Sequence, residues 1–123
     1  MIAAAPTTAE ELGNPERWWT ERHIQARNAL REGEYQAAYD MVAGHGIPSG
    51  ADFAEAEWLA GWIALRFTDQ PEMALAHFQR LREGVSYPIS LARASYWMGR
   101  AEEALGNVDA AWENYLAAAD NPT

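Results

Sequence analysis

The chain has 123 residues, the length of a single domain, and 49% of them are apolar, which argues against disorder throughout. Its net charge is −9, and its nine cations are all Arg, scattered along the chain, whereas a nucleic-acid surface needs clustered Lys and Arg. The absence of Cys excludes disulfides and Cys-ligated zinc. No apolar run approaches the ~18 residues of a membrane span. We therefore expect one domain that binds no nucleic acid and has no membrane span.

The first predicted hairpin covers residues 14–45 and follows a flexible leader at residues 1–13. Asn14 is typical of a helix cap, and the helical spacing of apolar residues continues to Leu30. The pattern breaks at Gly33 and then restarts, which predicts a tight turn followed by a second helix.

Two further hairpins are predicted at about residues 51–82 and 88–120, each after a loop that contains Gly and Pro. In the second hairpin, Asp69 is predicted to cap the shorter helix. In the third, Gly106 separates two alanine-rich stretches that both have helical character. The helical-repeat domain is thus expected to cover residues 14–123.

The interior turn of each hairpin recurs along the chain. Gly33, Asp69 and Gly106 stand at equivalent positions, 36 and 37 residues apart, a period typical of helical-hairpin repeats. Gly33 and Gly106 are expected to adopt the left-handed conformation that ends a helix. Gly61 and Gly99 lie in mid-helix, where we expect a neighbouring helix to pack against the bare backbone. The pattern predicts an all-α fold of about six antiparallel helices.

The third hairpin resembles a tetratricopeptide repeat, because its small and aromatic residues have that family's spacing. These residues are Gly99, Gly106, Ala111, Tyr115 and Ala118. The resemblance implies three tetratricopeptide-like hairpins that form a superhelical solenoid fragment, in which each unit packs only on its neighbours.

A more specific resemblance is carried by the stretches "AEWLAGWIALRF" and "PISLARASYWMGRA". They resemble the N-terminal α-helical superhelical region of bacterial soluble lytic murein transglycosylases, and the likeness covers most of residues 17–118. In that family the helical region precedes a lysozyme-like domain that cleaves the bond from N-acetylmuramic acid to N-acetylglucosamine. The resemblance implies a periplasmic location, peptidoglycan as the partner of the parent enzyme, and further helical and catalytic domains in the same chain.

The catalytic motifs of that family do not occur in this sequence. The family's acid is a Glu followed by Ser, with a "GLMQ"-type motif downstream, and the chain contains neither. We therefore assign no catalytic residue and no cofactor. We expect a non-catalytic scaffold that shapes or positions a lytic transglycosylase on murein glycan.

The alternative hypothesis is a stand-alone tetratricopeptide-like adaptor that holds a peptide or protein partner in its groove. The two hypotheses differ at the last helix. The scaffold hypothesis predicts exposed apolar area near Tyr115 and Leu116, where another hairpin would stack. The adaptor hypothesis predicts a polar capping helix there.

Carboxylates that are close in sequence are expected to lie on the solvated surface, because near neighbours on a helix point in different directions. The pairs are Glu10/Glu11, Glu55/Glu57 and Glu102/Glu103. His23, His45 and His77 lack the spacing of a metal site, so no metal is expected. His45 falls in a loop, where we expect it to be exposed.

Aromatic residues are numerous, and most of them fall at the spacing of a helical core. Adjacent aromatic residues on a helix cannot point the same way, so one of Trp18/Trp19 and one of Tyr96/Trp97 is a candidate for the surface.

Arginines flank the later helices, where pairing with Glu is the simpler hypothesis and recognition of the carboxylates of peptidoglycan peptides is the alternative. These arginines are Arg66, Arg80, Arg82, Arg93 and Arg100. The candidates for glycan or partner contact are Trp18, Trp19, Tyr96, Trp97, Arg93 and Arg100.

Overall fold

The structure is a computed structural model that describes residues 15–119. Within this range the chain forms six helices and no strand, which confirms the predicted all-α class. The helices are α1 (Pro15–Arg31), α2 (Tyr35–Ala43), α3 (Gly50–Arg66), α4 (Pro71–Gly84), α5 (Pro88–Ala104) and α6 (Val108–Ala119). The predicted leader, the Asn14 cap and the Glu10/Glu11 pair lie outside the described residues.

The predicted turns at Gly33 and Gly106 are confirmed. Their φ angles are 80° and 85°, a left-handed conformation that a side chain would strain. At the first turn the N–H of Glu34 donates to the carbonyl of Ala29 (2.9 Å), and at the third the N–H of Asn107 donates to the carbonyl of residue 102 (2.9 Å). Both turns therefore satisfy a carbonyl at the end of the preceding helix.

The predicted role of Asp69 as a helix cap is wrong. Asp69 has a φ of 55° and occupies the left-handed position that glycine fills in the other two turns. The residue before α4 is Gln70, whose side chain makes no capping hydrogen bond. Asp is one of the few residues with a side chain that tolerate this conformation, which explains how the turn recurs without glycine.

The helices pack mainly against their neighbours along the chain. Each helix contacts the next along the chain, and α3 also contacts both α1 and α5. The mid-helix glycines lie where α3 meets α4 and α5 meets α6, as predicted. A methyl group on Gly61 would lie 2.5 Å from Cε1 of Phe78, and one on Gly99 would lie 2.5 Å from Cε1 of Tyr115. A glycine is required at both positions because an aromatic ring occupies the space of its missing side chain.

The core runs through all three hairpins and contains both large and small apolar residues. Its largest fully buried apolar side chains are Phe78, Leu59, Ile63, Leu81 and Val42. Alanines with no exposed surface occur on each of the first five helices and let the backbones approach closely. None of the described helices is long and apolar enough to cross a lipid bilayer.

Candidate functional site: a buried polar cluster and an aromatic row

Two groups of side chains stand out from the ordinary helical core. The first is a buried polar cluster around Glu57, which is only 4% exposed. Its Oε2 accepts a hydrogen bond from Nε2 of His45 (3.1 Å), and its Oε1 accepts one from Nδ1 of His77 (2.7 Å). Nε of Arg80 donates to the same carboxylate (3.2 Å). One carboxylate thus joins α3, α4 and the loop before α3.

Further contacts surround the two imidazoles of the cluster. The N–H of Ile47 donates to Nδ1 of His45 (2.8 Å), so His45 carries its proton on Nε2. Nδ1 of His77, which lies 2.7 Å from Oε1 of Glu57, is also 2.8 Å from Nη2 of Arg80. Nε2 of His77 lies 2.7 Å from the hydroxyl of Tyr39.

The charge of Glu57 is balanced inside the cluster. Burial raises the pKa of the carboxyl, but the hydrogen bonds from His45 and His77 and the charge of Arg80 outweigh burial and lower the pKa to about 2. Every hydrogen-bonding nitrogen of the two imidazoles already has a protein partner. The cluster therefore serves to hold the first two hairpins together.

The cluster corrects two of the sequence-based expectations. Glu57 was expected on the solvated surface and His45 in an exposed loop, but both are 4% exposed. His77 is buried beside them, whereas His23 lies apart on α1 and stacks on Trp19 (ring centroids 5.3 Å apart). Within residues 15–119, no group of three or more His, Asp or Glu side chains is arranged to hold a metal ion.

The second group is a row of eight aromatic rings, each in contact with the next, that runs from α2 to α6. Neighbouring ring centroids lie between 4.8 and 6.3 Å apart. We call this group the aromatic row; in order it comprises Tyr35, Phe67, Trp62, Trp58, Trp97, Tyr96, Tyr115 and Trp112.

The aromatic row is neither fully buried nor fully exposed. Tyr35 is 38% exposed, Tyr96 41% and Trp112 61%, while the remaining rings are partly buried. Ring edges and faces of this kind offer apolar area to solvent while their neighbours hold them in fixed orientations. Tyr35, Tyr96 and Trp112 are therefore the rings of the row that offer the most surface to solvent.

Two guanidinium groups lie against the aromatic row. The guanidinium carbon of Arg93 is 4.5 Å from the ring centroid of Trp58, and its Nη1 pairs with Glu55 at 3.2 Å. The guanidinium of Arg100 is 5.6 Å from the ring centroid of Trp97 and donates from Nη1 to the hydroxyl of Tyr96 (3.0 Å). Each Arg thus adds a cation–π contact and hydrogen-bond donors at the edge of the row.

The structure brings together four of the six residues that the sequence suggests as contacts. All four lie on α5: Tyr96 and Trp97 belong to the aromatic row, and Arg93 and Arg100 lie beside it. Tyr96 is more exposed than Trp97. Trp18 and Trp19 are 2% and 5% exposed. The expectation that either Trp18 or Trp19 reaches the surface is wrong, because both side chains pack into the core between the first helices.

At its far end the aromatic row meets the surface of α6. The hydroxyl of Tyr115 donates to Oε1 of Glu103 (2.6 Å); burial and this hydrogen bond raise the pKa of Tyr115 to about 12. Beyond it, Val108, Trp112 and Leu116 are 58%, 61% and 60% exposed and are spaced four residues apart on one face of the helix. We call these three residues the α6 face.

Comparison with protein-family models gives no match, and neither do searches of curated proteins and of solved structures. The functional conclusion therefore rests on the chemistry of the described residues and on the resemblance of the two sequence stretches on α3 and α5.

Proposed function

We propose that the chain is a non-catalytic helical-repeat scaffold of a periplasmic soluble lytic murein transglycosylase, and that the aromatic row contacts the murein glycan. The observation that carries the proposal is the aromatic row, with Arg93 and Arg100 beside it. Pyranose rings have apolar C–H faces that stack on aromatic rings, while their hydroxyl and amide groups accept hydrogen bonds from Arg. A row of rings across three hairpins suits a linear chain of sugars.

A tetratricopeptide-like solenoid is the arrangement we propose for the three hairpins. It is supported by the recurring left-handed turns at Gly33, Asp69 and Gly106. It is also supported by the recurring contact between a glycine of one helix and an aromatic ring of the next, at Gly61 and again at Gly99. Repeated turns and repeated contacts produce similar rotations between successive units.

The α6 face supports the same arrangement. The second helix of the first hairpin packs against α3, and the second helix of the second hairpin packs against α5. No described helix covers the corresponding surface of the third hairpin, where Trp112 and Leu116 are exposed. We propose that a further helical hairpin packs there in the parent protein, as the scaffold hypothesis predicts, and that it covers Trp112 and leaves the other rings of the aromatic row for the glycan.

The assignment to a lytic transglycosylase rests on the resemblance of the stretches within α3 and α5. Its direct test is the coding sequence that flanks this segment in the genome. We expect it to encode further helices and a domain with a Glu-Ser pair and a "GLMQ"-type motif. A flanking sequence that encodes an unrelated protein would overturn the assignment to this enzyme class.

Glycan contact is tested by co-sedimentation of the full chain with insoluble murein. We expect Tyr96→Ala to lower the bound fraction, because it removes an exposed ring from the aromatic row. The matched control is Tyr87→Ala: Tyr87 is 73% exposed but makes no contact with the row. Equal binding by the two variants would argue against the row as the glycan surface. Absence of binding by the unmodified chain would favour the adaptor hypothesis.

A further inference from the structure

We propose that Arg66 and Arg100 form a carboxylate-binding subsite at the edge of the aromatic row. The subsite would make the scaffold prefer acidic murein glycan to a neutral polymer of N-acetylglucosamine. This inference rests on the proposed function and specifies its ligand class, because the aromatic row alone does not distinguish a charged sugar chain from a neutral one.

A shallow depression of about 320 Å³ lies between the ends of α3 and α5. Leu65 and Ala104 line it with apolar area, and Arg66 and Arg100 enter it from opposite helices. Glu103 is the one carboxylate among these lining residues. Two guanidinium groups from different helices can bind one carboxylate between them, through charge-assisted hydrogen bonds.

Two other arginines near the later helices already have carboxylate partners. Arg80 pairs with Glu57 and Arg93 pairs with Glu55. By contrast, none of the ion pairs found within residues 15–119 includes Arg66 or Arg100. Arg66 and Arg100 are thus two arginines that line the depression without forming an ion pair.

The groups near Arg66 and Arg100 suit a sugar that carries a carboxylate. Arg100 donates to the neutral hydroxyl of Tyr96, which leaves its other N–H groups for a ligand. The carboxylate of Glu103 accepts from the hydroxyl of Tyr115, but its charge still opposes a bound anion. Removal of that charge should therefore strengthen binding, while removal of a guanidinium should weaken it.

Aromatic rings precede both arginines by one helical turn. Trp62 comes four residues before Arg66 on α3, and Tyr96 comes four residues before Arg100 on α5. One turn is about 5.4 Å, roughly the width of one pyranose ring. A sugar stacked on either ring would place an acidic substituent within reach of the depression.

Murein offers carboxylates from two sources. The stem peptides carry them, and the lactyl group of N-acetylmuramic acid carries one wherever the peptide has been removed. A polymer of N-acetylglucosamine has neither. Probes of each type can be compared at equal sugar length: the disaccharide tetrapeptide of murein, the peptide-free disaccharide, and the neutral disaccharide of N-acetylglucosamine.

The experiment is an NMR titration of the full chain with each of the three probes. We expect Arg66→Gln to raise the Kd for the acidic probes about fivefold and to leave the Kd for the neutral probe unchanged. We expect Glu103→Gln to lower the Kd for the acidic probes. The matched control is Arg82→Gln, which removes an equal charge from an exposed position on α4 and should have no effect. The acidic probe that responds more strongly identifies the source of the carboxylate.

Four results would overturn the subsite, the third of them from a further titration with the free stem peptide alone. If Arg66→Gln weakens binding of the neutral probe as much as binding of the acidic probes, the depression does not recognise a carboxylate. The same conclusion follows if Arg82→Gln has the effect of Arg66→Gln. In either case, glycan contact by the aromatic row stands. If the free stem peptide binds as tightly as the disaccharide tetrapeptide, the site belongs to a peptide-binding adaptor. If no sugar probe shifts any resonance of the aromatic row, the proposed glycan contact fails together with the subsite.

Discussion

At the scale of single residues, Glu57 is a buried anion whose environment requires its charge. His45, His77 and Arg80 all direct N–H groups at its two oxygens. Replacing a buried carboxylate of this kind leaves several donors without an acceptor, which costs more than the loss of one surface ion pair. The fold is therefore expected to depend on the ionised state of this one side chain.

We predict that acid weakens the fold through Glu57. The pKa of its carboxyl is 4.5 in a free chain and about 2 in the folded protein. A lowered pKa means that the stabilisation is fully present above pH 4.5 and is lost as the pH falls towards 2. The loss should amount to roughly 3 kcal/mol of unfolding free energy. Urea unfolding at several pH values between 7 and 2.5 measures it.

Two variants separate Glu57 from other carboxylates in this measurement. Glu57→Gln should lower the unfolding free energy by about 3 kcal/mol at pH 7, and it should remove most of the pH dependence below 4.5. Glu55→Gln is the matched control, because Glu55 is partly exposed and forms a surface ion pair with Arg93; it should cost under about 1 kcal/mol. Equal effects of the two changes would show that the buried cluster contributes no special stability.

At the scale of the elements, each hairpin depends on one residue in the left-handed conformation. Two of the three turns use glycine and the third uses Asp69, at a φ of 55°. A side chain in this conformation typically costs about 1 kcal/mol. The second hairpin therefore carries backbone strain that the first and third hairpins avoid.

We predict that replacing glycine by alanine in one of these turns lowers stability, and that replacing Asp69 by glycine in another raises it. Gly106→Ala should lower the unfolding free energy by about 1 kcal/mol, because alanine disfavours a φ of 85°. Asp69→Gly should raise it by about 0.5 kcal/mol, since release of strain exceeds the added entropy of the unfolded chain. Chemical denaturation of both variants, with Gly44→Ala as a control at a negative φ, measures these changes. A loss of stability in Asp69→Gly would mean that the side chain, and not the backbone, determines this turn.

At the scale of the whole molecule, the α6 face is the main apolar surface of the last helix. Its residues Val108, Trp112 and Leu116 are all more than half exposed, whereas hydrophobic residues at comparable places in the earlier hairpins meet the next helix. The acidic residues of α6, Asp109 and Glu113, flank this face. A partner helix with an apolar stripe and basic flanks would complement it.

We predict that the α6 face can be made polar without loss of stability. The double substitution Trp112→Gln and Leu116→Gln should change the melting temperature by less than about 3 °C, because both side chains are already exposed. It should lower the fluorescence of a hydrophobic dye that binds exposed apolar area. The control is Tyr87→Gln with Ile89→Gln, at two exposed positions near the start of α5. A large fall in melting temperature would show that the face is packed within the chain.

The helices, the turns and the close helix contacts could be predicted because their signals are local. Gly33 and Gly106 interrupt apolar helical patterns directly, and a mid-helix glycine such as Gly61 has few explanations other than a close neighbour. Asp69 was placed in the correct turn but given the wrong role, because its residue type suits both a helix cap and a left-handed turn.

The buried cluster could not be predicted because its members are far apart in sequence. Glu57 is 12 residues from His45 and 20 from His77, and the average tendency of Glu is to be exposed. One local signal was available: Glu57 stands one turn after Phe53 and one turn before Gly61, on the apolar stripe of α3. An ionisable residue in such a stripe indicates a buried partner, but it does not identify that partner.

The two junctions between hairpins differ in the kind of force that sets their angle. The hydrogen bonds of Tyr39 with His77 and of His45 with Glu57 cross the first junction, so any bending there must stretch or break them. The ring contact between Trp58 and Trp97 crosses the second junction, together with the ion pair of Arg93 and Glu55. Protonation of Glu57 should therefore loosen the first junction, while the contact of Trp58 with Trp97 at the second involves no titrating group.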